Sequence, residues 1–217
     1  AEIQFGTELQ DRIEANVQLD DAVFGFGKWK TVQLQVAGTL RSHTIKVSAR
    51  NDSFDLTASA SGGLSSNGIW QGELNTLENR GKQVFSLDAS VPLRIGKDEV
   101  SLRNLTLKLS DGQLTVEKLV KKGTLLETSG NARGVPLTYL LAVSPDSKNT
   151  VHSTLTLGAD WSLKAGRSLD GNLHVYRERG DLTLIGGRAV GQDRGVLPLA
   201  LLVLPQAVDT LAHGHDG

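Results

Sequence analysis

The chain is 217 residues long, 39% apolar but only 5% aromatic, with 23 basic and 24 acidic residues and a formal net charge of −1. That length suits one elongated β domain or two small ones, with an interior of Leu, Val, Ile and Ala. Scattered, balanced charge excludes the clustered basic face of a nucleic-acid binder, and the absence of Cys excludes disulfides, thiolate catalysis and cysteine-based metal sites.

In chain order, apolar residues fall at every second position in one segment after another. Ile13, Ala15, Val17 and Leu19 alternate with Arg12, Glu14, Asn16, Gln18 and Asp20. The beat returns at Val32-Leu34-Val36, Ile45-Val47-Ala49, Phe54-Leu56-Ala58 and Phe85-Leu87-Ala89-Val91-Leu93-Ile95. It continues at Leu105-Leu107-Leu109, Leu114-Val116, Leu155-Leu157-Ala159, Leu173-Val175 and Leu182-Leu184. Side chains on a strand point to alternate faces, so these segments predict strands with one apolar and one polar side, joined in a long sheet with a continuous apolar face.

Turn signals separate the segments. They are Asn51-Asp52-Ser53, Ser61-Gly62-Gly63, Ser65-Ser66-Asn67-Gly68, Asn79-Arg80-Gly81, Gly96-Lys97-Asp98, Asp111-Gly112 and Arg179-Gly180-Asp181. Asp111-Gly112 reads as a tight hairpin whose residues accept positive φ. Leu137, Leu140 and Leu141 fall at helical spacing behind Pro136, which predicts one short helix at about 136–142. The whole of 1–186 thus reads as a single elongated β domain. Beyond Gly186 the beat is lost, and 187–217 is an atypical tail.

No segment carries an enzyme signature. No Gly-x-Ser-x-Gly elbow occurs, and neither Gly62-Gly63 nor Gly186-Gly187 leads into a phosphate loop. His43, His152 and His174 are far apart, and the tail pair His213 and His215 does not make a closed metal site. No catalytic residue, metal or cofactor is expected. The chain has no Met, so it is expected to be processed or to be part of something longer. The run Val196 to Leu204, interrupted by Pro198, falls short of the roughly 20 apolar residues of a membrane span.

Between Gly38 and Gly186 the sequence resembles the TamB family of Gram-negative bacteria, the inner-membrane subunit of the translocation and assembly module. The resemblance rests on phrases in order. Gly38-Thr39-Leu40 is followed by His43-Thr44, and Gly62-Gly63-Leu64 by Trp70-Gln71-Gly72-Glu73-Leu74. Then come Ala89, Pro92 and Leu93, Gly134-Val135-Pro136-Leu137, Ala159-Asp160-Trp161-Ser162-Leu163, Leu169-Asp170-Gly171-Asn172-Leu173 and Arg179-Gly180-Asp181-Leu182. The resemblance implies a segment of a long periplasmic rod anchored in the inner membrane, whose sheet curls into an open groove, a β-taco. It also implies movement of phospholipid between the two membranes, support of outer-membrane protein assembly, an outer-membrane partner of the Omp85 class, and pairing with adjacent β segments of the same chain.

By phase, the lining of such a groove comprises Val17, Leu19, Val32, Leu34, Val36, Val47, Leu56, Leu87, Leu93, Leu107, Leu109, Val116, Leu157 and Leu173. The competing reading is a secreted β-solenoid or sandwich, a scaffold or adhesin in which the same side chains form a filled core. The two differ in whether the apolar face is open.

Overall fold

The computed structural model describes residues 2–4, 10–24, 27–137, 139 and 151–184. The described chain is all-β. Its strands are β1 (Glu2–Gln4), β2 (Arg12–Phe24), β3 (Gly27–Thr39), β4 (His43–Arg50), β5 (Asp55–Leu64), β6 (Trp70–Asn79), β7 (Phe85–Leu87) and β8 (Val91–Ile95). They continue with β9 (Glu99–Leu109), β10 (Gln113–Lys122), β11 (Leu125–Pro136), β12 (Val151–Ser153), β13 (Thr156–Ala165), β14 (Leu169–Arg179) and β15 (Leu182–Leu184).

Thirteen strands form one antiparallel sheet in the order β1-β2-β3-β4-β5-β6-β7-β9-β10-β11-β13-β14, with β8 inserted beside β7 between β6 and β9. β12 and β15 pair separately. Neighbours in sequence are almost always neighbours in the sheet, as short hairpin connections require.

The turns at 51–53, 65–68 and 96–98 form where the sequence signals them. In the first, Asn51 Oδ1 accepts from the N–H groups of Ser53 at 2.8 Å and Phe54 at 2.7 Å, the local bonding that suits Asn to turns. Gly68, at φ 72°, supplies the left-handed residue of the second.

Four expectations need correction. Ser61-Gly62-Gly63 is not a turn but the interior of β5. A Cβ on Gly63 would collide with Arg41 O, so close backbone approach explains the glycine. The hairpin at Asp111-Gly112 exists, but none of Ser110, Asp111 and Gly112 has positive φ. Gly112 is required because a Cβ there would run into the carbonyls of Arg133 and Gly134 on β11. The beat from Phe85 to Ile95 is two strands, broken at Asp88–Ser90, because β7 and β8 occupy different stretches between β6 and β9. Finally, Pro136 is the last residue of β11, paired with Thr156, and not a first helical residue. Leu137 N–H then donates to Leu155 O at 3.0 Å. Of the expected helix, 138 and 140–142 lie outside the described residues, as does the tail beyond 184.

Candidate functional site

Residues directly opposite each other in an antiparallel ladder share a face, so the register assigns faces across the sheet. One row runs Val17-Leu34-Val47-Ala58-Leu77. The next runs Leu19-Val32-Ala49-Leu56-Asn79-Phe85-Leu109. On the other side of the first lies Ala15-Val36-Ile45-Ala60-Leu74-Val91. Farther along the sheet, Leu87-Leu107-Leu114-Ala132-Ala159-Val175 makes one row and Leu105-Val116-Gly130-Trp161-Leu173 another. Leu93 pairs with Gly72 and Leu102, and Leu157 with Val135. All fourteen residues singled out in the sequence therefore lie on one face of one sheet.

The face survives because bulges reset its phase. Opposite the regular pair Ala58 and Ala60 stand Leu77 and Leu74, three residues apart, with Asn75 as the extra residue. Gly130 and Thr128 face Val116 and Leu119, again three apart, with Glu117 extra. Across from Glu117, Asn104 adopts φ 56° and its own pair is skipped, which keeps both Leu105 and Leu102 on the apolar side. On β11 the register steps from Ala132 to Val135 across Gly134, whose φ is 63°. A bulge adds one residue to one strand, and here each falls where the apolar spacing changes from two to three. Two-beat reading missed Leu74, Leu77, Leu102 and Leu119 on this face. The spacing of three was the available signal.

Two tryptophans lie flat on this face over glycines. A Cβ on Gly62 or Gly72 would meet the Trp70 ring at 2.7 and 2.6 Å, and one on Gly130 would meet Trp161 at 2.5 Å. Trp70 Nε1–H donates to His43 Nε2 at 2.8 Å, and His43 Nδ1 contacts Thr39 O at 2.9 Å. Nδ1 therefore carries the proton. Trp161 Nε1–H donates to Thr128 Oγ1 at 3.2 Å. His43 is thus a bonded, buried side chain, and His174 sits on β14 with its ring against Tyr176. His213 and His215 lie outside the described residues.

The face is only partly covered: Ala49, Trp70, Val91, Leu105, Ala132 and Asn79 on it are buried, whereas the fourteen are not. Among the described residues the buried apolar side chains are Ile13, Trp29, Ala49, Trp70, Val91, Leu105 and Ala132. None of the fourteen is among them. Leu19 and Leu173 are 48% and 43% exposed, and the other twelve are half-buried. These side chains are partly covered and partly accessible.

The opposite face is wet and cross-linked. Ser59 and Thr76 hydroxyls meet at 2.7 Å, and Thr106 and Thr115 at 3.4 Å. Lys108 pairs with Asp88. Glu127 lies between Lys118 at 2.5 Å and Lys164 at 3.4 Å. The hydrogen bond from Lys118, then that from Lys164, holds its carboxyl below the ordinary glutamate range. Arg133 donates to Asp160 at 2.6 Å and lies over the Tyr176 ring, and the Asp160 bond raises the guanidinium further. No chemistry beyond ion pairing is visible in these groups.

Comparison of the chain with protein-family models, with curated proteins and with solved structures returns no match. The likeness to TamB stands on the residue phrases alone. One of them has a physical reading: in Trp70-Gln71-Gly72-Glu73-Leu74, the indole needs Gly72 two residues on and Gly62 across the ladder to lie flat.

Proposed function

We propose that the apolar face carries phospholipid acyl chains, and that this chain is a segment of a TamB-like periplasmic conduit anchored in the inner membrane and serving outer-membrane biogenesis. The observation that carries the reading is the combination of register and exposure: fourteen aliphatic side chains share one face and none of them is buried. A filled scaffold core would bury these side chains. Burial is worth roughly 0.8 kcal/mol per CH₂, so a long acyl chain laid on such a face gains on the order of 10 kcal/mol before ordering is subtracted. The lining is aliphatic and repeats from row to row. Successive positions along it are close to equivalent, which suits sliding better than storage.

The same reading supplies partners at the ends of the sheet. Of the seven large hydrophobics exposed among the described residues, Leu19 and Val23 lie on β2, and Leu169, Leu173 and Val175 on β14. Among the described residues β14 pairs only with β13, and β1 covers only three residues of β2. Open edges of this kind pair with further strands, in this reading adjacent β segments and, through the longer protein, an Omp85-class partner in the outer membrane.

Photo-crosslinking in cells tests the reading at Leu107, on the apolar face, and Lys108, on the polar one. Lipid adducts at Leu107 and not at Lys108 are expected. Adducts at neither, while surface positions still capture their neighbours, would turn the reading to the closed scaffold.

A further inference from the structure

The sheet has a notch between β8 and β9. Their ladder covers only Leu93↔Leu102 to Ile95↔Val100, and β7 takes over at Leu87↔Leu107. The pairs that would continue the β8 ladder, Pro92 with Arg103 and Val91 with Asn104, are missing. Pro92 brings no N–H to a ladder, and Asn104 leaves the extended conformation at φ 56°. The gap opens a cavity of about 580 Å³, within the range of small-ligand sites.

Its walls divide by phase. Val91, Leu93 and Leu102 belong to the apolar face. Arg94, opposite Gln71 and Ser101, and Arg103, opposite Lys118, belong to the polar face. No carboxylate lines the cavity. Glu99, outside it, reaches Arg94 only at 3.9 Å and is shared with Lys122 at 3.8 Å. Among the described residues Arg103 makes no ion pair, and it stands directly across from a second cation, an arrangement that destabilises a ladder. Lys118 is already matched by Glu127, so the uncompensated charge is that of Arg103.

We propose that this notch binds a phosphate-type anion through the guanidinium groups of Arg94 and Arg103, next to the apolar face. Guanidinium groups present paired N–H donors that match phosphate oxygens. The inference rests on the acyl-chain reading of the face: an amphiphile with its phosphate in the notch has its chain beside Val91, Leu93 and Leu102. The site would then be a place where a sliding lipid pauses.

The test is calorimetric titration of the full chain with dodecyl phosphate, dodecyl maltoside and inorganic phosphate, each below micelle formation. It is repeated with Arg94→Gln/Arg103→Gln and with the charge-keeping Arg94→Lys/Arg103→Lys, after circular dichroism shows both variants folded. The expected result is dodecyl phosphate binding about tenfold tighter than the maltoside, the Gln variant removing that advantage without weakening the maltoside, and the Lys variant keeping part of it. Arginine-dependent binding of inorganic phosphate as strong as that of dodecyl phosphate would support the anion site with free phosphate as its ligand. Equal binding of the two amphiphiles in every protein would overturn the anion site and leave the apolar-face reading standing. Binding of none of the three would overturn both.

Discussion

Asn79 is the one described side chain with no exposed surface at all, 0%, and it sits on the apolar face at the end of β6. Its Oδ1 accepts from the N–H of Asp55 at 2.8 Å and of Gly81 at 3.1 Å, and its Nδ2 donates to Gln83 O at 2.6 Å. It therefore ties the start of β5 to the connection that leads into β7. Asn79→Leu keeps the volume and strands three backbone groups. Each buried group left without a partner costs about 1–3 kcal/mol. Water can reach part of the 80–84 connection, so the expected loss is about 4 kcal/mol. The assay is urea denaturation followed by circular dichroism, with Gln35→Leu on the exposed side of β3 as a control expected to change stability by less than about 0.5 kcal/mol. An Asn79→Leu protein within about 1 kcal/mol of the parent at unchanged denaturant slope would refute the role given to these bonds.

Other perturbations separate the two faces. Gly130→Ala pushes a methyl into the Trp161 ring and toward Thr115 O, and should cost about 2 kcal/mol in the same denaturation assay. Trp70→Phe keeps the ring over Gly62 and Gly72 but leaves His43 Nε2 without its donor, an expected loss of about 1–2 kcal/mol by thermal or urea melting. Glu127 is held below its unfolded-state value by Lys118 and Lys164, so its stabilising effect is present above that value and disappears as pH falls through the folded one. The melting difference between parent and Glu127→Gln should therefore be largest near neutral pH and shrink away as pH falls below the ordinary glutamate range. Leu107→Asp should weaken dodecyl maltoside binding severalfold while Lys108→Asp leaves it unchanged, because only the first puts a charge on the apolar face.

The strands were legible because alternation is a one-dimensional image of a two-faced sheet. Val17, Leu34 and Val47 could be put on one side before any register was known. The turns were less legible where glycine serves two purposes. Gly68 marks a positive φ, whereas Gly63 and Gly112 mark backbone approach, and the sequence does not distinguish them. The break at Asp88–Ser90 was hidden because the apolar beat runs through it unbroken from Phe85 to Ile95. Only the competition of β7 and β8 for places beside β9 reveals it. Leu74, Leu102 and Leu119 were missed for the opposite reason: the face continues where the beat stumbles.

Those stumbles bear on what the face is for. Were Glu117 paired as an ordinary strand residue instead of bulged out, Leu119 would turn to the polar side and Lys118 to the apolar one, since a one-residue slip inverts every position beyond it. β9 changes phase opposite it at Asn104, β6 does so at Asn75 and β11 at Gly134. A bulge also bends its strand and strengthens the local twist. The residues that hold the face continuous are therefore also the places where its strands bend. A flat sheet could be covered by a second layer. In the reading proposed above, a sheet bent at its bulges covers its apolar face by wrapping what lies on it, and the exposed Leu19, Leu173 and their half-buried neighbours are where a chain of methylenes would lie.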